Sequence, residues 1–98
     1  MHLPDNVTFE VSRNRSTVLS NVPALCVPAR PEIVALYDVP AGKAYQVTFN
    51  GLFDIKEQDL LINQADATET YRVTSVAQYE TPRLAHTEAV AVAMWGTE

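Results

Sequence analysis

Thr81-Pro82-Arg83-Leu84-Ala85-His86-Thr87-Glu88-Ala89-Val90-Ala91-Val92-Ala93-Met94-Trp95-Gly96 is the stretch on which the fold class turns. It supports two readings. Thr81 as an N-cap, Pro82 at the first helical position, four alanines and a Gly96 just past the end would suit a helix. Against that, Val90, Val92 and Met94 alternate with Ala89, Ala91 and Ala93, and period two is the mark of a strand. As a strand the segment would turn a branched face to a core and a nearly flat alanine face to a close neighbour. The alternation favours the strand, with the capped helix over 82–95 as the rival.

The rest of the chain repeats the period-two signal. Val7, Phe9 and Val11 alternate with Thr8, Glu10 and Ser12, and Tyr45, Val47 and Phe49 with Gln46, Thr48 and Asn50. Asn50-Gly51 ends the second run as a turn. Thr70-Tyr71-Arg72-Val73-Thr74-Ser75-Val76 is rich in β-branched and aromatic residues, and its alternation slips near Ser75, as at a bulge. Shorter apolar runs at 17–19, 24–27, 33–37 and 60–62 read as further strands. Asn14, Ser20-Asn21, Pro28, Pro31, Pro40-Ala41-Gly42 and the polar loop 63–68 separate them. The expectation is one all-β domain over residues 1–98, a small antiparallel β-barrel or sandwich of about seven to eight short strands with extended loops.

Composition narrows the function. In a chain of 98 residues, surface scaling allows about 65% of the unfolded area to be buried, enough for one modest core. The formal charge of −5 supplies no basic patch for duplex DNA. Residues 1–30 carry a net +1 and residues 31–98 a net −6, with −4 concentrated in 50–70. A single cysteine excludes an internal disulfide and fits a reducing compartment. The opening residues lack a signal-peptide apolar region, and no run approaches the length of a membrane span. A soluble protein folded inside the cell is expected.

Catalytic chemistry finds little material. His2, His86 and Cys26 do not have the spacing of a zinc site, and neither phosphate-binding glycine motifs nor a GxSxG elbow occurs. Cys26, in Leu25-Cys26-Val27-Pro28, has no cation beside it in sequence and reads as a structural thiol. His86 and Glu88 would project from one face of a strand, as a base and its orienter do, but no nucleophile stands at a defined spacing. Asp54, Glu57 and Asp59 could approach a cation, yet the stretch lacks the glycine and terminal glutamate of a calcium loop, and a solvated turn fits better. Neither enzymatic activity nor a cofactor is expected.

Four segments together resemble the head-completion (head-closure, or stopper) proteins of tailed bacteriophages. Pro4-Asp5-Asn6-Val7-Thr8-Phe9 is similar to that family's opening strand, and Asn21-Val22-Pro23-Ala24-Leu25-Cys26-Val27-Pro28 to its Val-Pro strand. Asp54-Ile55-Lys56-Glu57-Gln58-Asp59-Leu60-Leu61, with Tyr71-Arg72-Val73, resembles its D-I-x-x-G-D turn and Tyr-x-Val strand. His86-Thr87-Glu88-Ala89-Val90 resembles its closing strand, and adds to the strand reading of that segment. Two departures stand out: Gln58 replaces the turn's glycine, and Arg13-Asn14-Arg15 replaces a Gly-rich hairpin tip, leaving Asn14 to take the left-handed conformation.

The resemblance implies a structural, non-enzymatic virion protein, made in the host cytoplasm and placed at the head–tail interface. It would form a ring of six or twelve copies below portal and adaptor proteins, close the DNA channel and dock the tail. Packaged DNA would pass without sequence-specific binding, loosely held by acidic walls, and no membrane is involved. Partner- or channel-facing loops are expected at Arg30 and Glu32, at Asp38 and Lys43, and at the acidic Asp54, Glu57 and Asp59. Trp95 would be either an interface anchor or a cap on the barrel end. The alternatives are another neck or tail-completion protein, or a cytosolic SH3-like or OB-like binding module.

Overall fold

The computed structural model describes residues 6–37, 42–80 and 85–95. Six strands, β1 (Val7–Arg13), β2 (Ser16–Pro28), β3 (Ala44–Phe49), β4 (Leu60–Asn63), β5 (Thr70–Tyr79) and β6 (His86–Ala93), form one closed barrel in the order β1-β2-β3-β6-β5-β4. Every neighbouring pair is antiparallel. One short helix, α1 (Pro31–Tyr37), lies between β2 and β3. Among the described residues no helix is long and apolar enough to cross a membrane.

The all-β barrel agrees with the alternation, and among the described residues it has six strands, close to the seven or eight expected. The apolar runs at 17–19 and 24–27 belong to one 13-residue strand, β2. Ser20-Asn21 has turn chemistry but is a bulge inside it: the pairing steps from Phe9↔Val22 to Val11↔Leu19, and Asn21 has φ 57°. The run at 33–37 is α1, not a strand. Pro31 supplies the φ of a first helical turn, and the Arg30 carbonyl accepts from the Ile33 and Val34 amides at 2.9 and 3.1 Å.

Residues 86–93 are the strand that the alternation favoured, with its faces reversed. Ala89 and Ala91 belong to the core, while Val90 and Val92 look outward and are buried there. The small residues point inward because aromatics already fill the barrel. Phe53, Phe49, Phe9, Tyr71 and Trp95 make successive ring contacts with centroids 5.9, 6.5, 5.6 and 4.8 Å apart, and Tyr45 joins at 5.1 Å from Tyr71. An alanine row leaves room for that column at interior packing density.

Other local expectations match the structure. Asn14 takes φ 54°, and Arg15 follows at φ 65°, giving the two left-handed residues of a tight hairpin. The bulge near Ser75 falls where the β5–β6 pairing steps from Val73 to Ser75. The loop 63–68 is a polar turn held by its own side chains, with Asn63 Oδ1 accepting from Ala65 N and Asp66 Oδ1 from Thr68 N. Asn6 continues the β1–β2 ladder by mimicking a backbone unit: its side chain donates to the Cys26 carbonyl at 2.9 Å and accepts from the Cys26 amide at 2.8 Å.

Candidate functional site

Antiparallel order puts the connections on two opposite ends of the barrel. One end carries α1, the 63–70 turn and Trp95; the other carries the β1–β2 hairpin and the β3–β4 loop, residues 50–59. That loop must cross from β3 to β4, which are not neighbours, and in doing so it closes its end of the barrel. Phe53 lies on Phe49, and Ile55 is buried in the core.

Among the described residues the buried polar side chains are Asp59 and Thr87, and both hold this loop. Thr87 Oγ1 donates to the Gly51 carbonyl at 2.8 Å and accepts from the Phe53 amide at 3.2 Å. Asp59, 1% exposed, receives Arg13 in a two-pronged contact, Nε to Oδ1 and Nη2 to Oδ2, both 2.9 Å. Oδ2 also accepts from the Lys56 amide at 2.9 Å. Arg13 reaches Asp54 as well, Nη1 to Oδ2 at 3.3 Å and Nη2 to the carbonyl at 3.2 Å. Burial pushes the Asp59 carboxyl up, but the hydrogen bonds from Arg13 and the Lys56 amide, with the charges of both residues, hold it below the ordinary carboxylate value. Arg13 is correspondingly held more firmly protonated by Asp59 and then Asp54.

The acidic trio therefore separates. Asp54 and Asp59 share one guanidinium, Glu57 stays exposed in solvent, and Asp59 is buried beneath the loop. Among the described residues no three His, Cys, Asp or Glu side chains converge as metal ligands do. Arg13, which organises the cluster, gave no signal in sequence beyond its place at a hairpin tip, because its partner lies 46 residues away.

Gln58 adopts φ 78°, the left-handed conformation that a glycine would take without strain. Its amide still donates to the Val73 carbonyl at 2.7 Å, so the turn keeps its docking on β5 despite the side chain. Gln58→Gly is expected to raise stability by about 0.5–1 kcal/mol, read as an upward shift of the urea midpoint at unchanged slope. A downward shift would show that the exposed glutamine side chain contributes more than the strain costs.

At the other end, Trp95 caps the barrel. Its ring meets Tyr71 edge-on at 4.8 Å and Tyr45 at 6.2 Å, with part of its surface left to solvent. Cys26 is half-buried on the inner face of β2 beside the Tyr71 hydroxyl. Burial raises the thiol's pKa, the Tyr71 hydrogen bond opposes this, and the Glu69 charge adds to it. Native Cys26 should accordingly react with a maleimide at neutral pH at least tenfold more slowly than in denaturant. Equal rates would remove the structural-thiol assignment.

Arg30 and Glu32 flank Pro31 and are exposed; Arg30 lies in the connection before α1, whereas Glu32 stands in the first turn of that helix and not in a loop. Lys43 is half-buried at the start of β3, its carbonyl accepting from the Ala93 amide at 2.8 Å, while Asp38 lies outside the described residues. His86 and Glu88 share the outer face of β6, Nε2 to Oε2 3.1 Å, with Tyr79 stacked on the imidazole at 4.8 Å. Beside them a groove of about 60 Å³ runs between Ile33 of α1 and the outward side chains Gln46, Thr48, Ser75 and Glu88. Comparison with family models, curated proteins and solved structures finds no match for this chain.

Proposed function

We propose that this chain is a structural protein of a phage neck, a head-closure subunit that assembles as a ring below portal and adaptor, closes the DNA channel and presents a docking face to the tail. The observation that carries the reading is a closed barrel with an elaborated connection at each of its two opposite ends, α1 at one and the pinned 50–59 loop at the other. A part seated between two neighbours needs two such faces and a stiff body between them. The polar groups support the same reading, since Arg13 and the buried Asp59 and Thr87 are engaged in fixing a loop. Exposed Asp54, Glu57 and Asp66 on a chain of charge −5 would give an assembled ring acidic surfaces that hold DNA loosely.

Affinity-tagged protein expressed in its native setting should recover portal, adaptor or tail proteins in a large particle, identified by mass spectrometry. A monomer with one soluble partner would overturn the reading in favour of an SH3-like or OB-like binding module.

A further inference from the structure

The outer face of β3, β6 and β5 carries a cluster of polar side chains that the fold does not use. In the groove beside Ile33 of α1, Gln46, Val90 and Ser75 form one cross-strand row, and Thr48, Glu88 and Ala77 the next. Gln46, Thr48 and Ser75 are half-buried, and among the described residues none of the three side chains makes a hydrogen bond within the protein. Glu88 is engaged through Oε2, by His86 Nε2 at 3.1 Å, and its other oxygen has no partner among the described residues. Polar groups withdrawn from water normally find partners within the protein or in ordered water. Four of them around one depression of about 60 Å³ leave those bonds for a ligand to supply.

The chemistry of the lining selects what fits. Among the described residues no lysine or arginine lines the groove and Glu88 is its formal charge, so a cation is favoured and an anion repelled. Glu88 Oε1, the Gln46 side-chain carbonyl and the Thr48 and Ser75 hydroxyls are acceptors spread over two rows. Several N–H donors in a fixed fork meet that pattern better than one point charge does. Size sets a second limit. About 60 Å³ holds roughly four to six water-sized groups, enough for a guanidinium and a methylene, but far less than the roughly 300–1,000 Å³ of a small-molecule site. Ile33 and Val90 offer apolar walls to the stem behind such a group.

We propose that the groove receives an arginine side chain of a basic partner protein. The arginine is one anchor in a wider contact, a role in which that residue is enriched. A chain of charge −5 favours a basic partner over a second copy of itself. The inference stands on the groove, independent of the neck reading.

Titration with Nα-acetyl-arginine amide, followed through backbone amide resonances, tests the chemistry. Gln46, Ser75 and Glu88 should shift together and saturate. The citrulline analogue, equal in shape but uncharged, should bind about tenfold more weakly, the loss expected when a charge-assisted hydrogen bond is removed. Glu88→Gln, at a side chain 48% exposed, should weaken arginine binding by a similar factor with an unchanged melting temperature. Equal binding of the two probes, a Glu88→Gln protein that binds like the parent, or equal shifts at the exposed Asp54, Glu57 and Asp66 would each overturn the proposal. The source of the arginine is tested in the native setting with a photoreactive benzophenone residue in place of Leu36, which is 72% exposed and one helical turn from Ile33. Cross-linked peptides should map to another protein, within a few residues of an arginine, and Glu88→Gln should deplete them. Cross-links to a second copy of this chain or to segments without arginine, or none at all, would overturn the proposal.

Discussion

Asp59→Ala is expected to lower the unfolding free energy by about 3 kcal/mol, within the range for breaking a buried, charge-assisted contact. For a domain of this size that is a fall in Tm of roughly 12–24 °C. The carboxylate is 1% exposed and joins three segments: the end of β1 through Arg13, the Lys56 amide of its own turn, and β5 through the adjoining backbone bonds to Val73. Removing it frees the crossing loop and uncovers the barrel end that Phe53 and Ile55 close. Amide exchange at Gln58 and Val73 should rise with the loss of stability. A variant within 0.5 kcal/mol of the parent would show that the apolar plug holds the loop unaided.

The same carboxylate gives a pH dependence of definite sign. Its folded pKa lies below the ordinary value, so the stabilisation is fully present above about pH 4 and is lost as pH falls through the lower, folded value. Asp59→Asn should start less stable at neutral pH and show a flatter decline across that acidic window. Parallel curves would assign the acid sensitivity to other carboxylates.

How much of this was legible depends on how local the cause is. Period two located β1, β3 and β5, the slip at Ser75 is a bulge, and the 63–68 turn follows from side chains bonding their own backbone. Ser20-Asn21 misled because a bulge and a turn ask for the same residue, one that tolerates positive φ, and composition does not say whether the strand resumes in line. Residues 33–37 are too few for periodicity to separate helix from strand, and Pro31 followed by Glu32 was the available start signal. The alternation in β6 gave the strand but not which face is inside, since that depends on the volume of rings from other strands. Arg13 and Asp59 meet only because β1 and β4 are neighbours in the closed barrel, which no local pattern contains.

Phe9→Ala is the second large effect, an expected loss of about 3–5 kcal/mol. Phe9 is fully buried at the centre of the aromatic column, with Phe49 at 6.5 Å on one side and Tyr71 edge-on at 5.6 Å on the other. Truncation leaves a void that the alanines of β6 have no reach to fill, so the cost includes the cavity as well as the lost transfer energy. Phe53→Ala, at the half-exposed end of the column, should cost distinctly less, because water enters the vacated space. The converse change, Ala91→Leu, forces a branched side chain toward the same rings and should cost about 1–3 kcal/mol by overpacking. Denaturant unfolding of the three variants separates the causes. If Phe9→Ala costs no more than Phe53→Ala, the barrel collapses onto the vacancy and the column is not what sets its diameter. If Ala91→Leu is neutral or stabilising, the inward alanine row leaves unused space, and the reversed faces of β6 need another explanation.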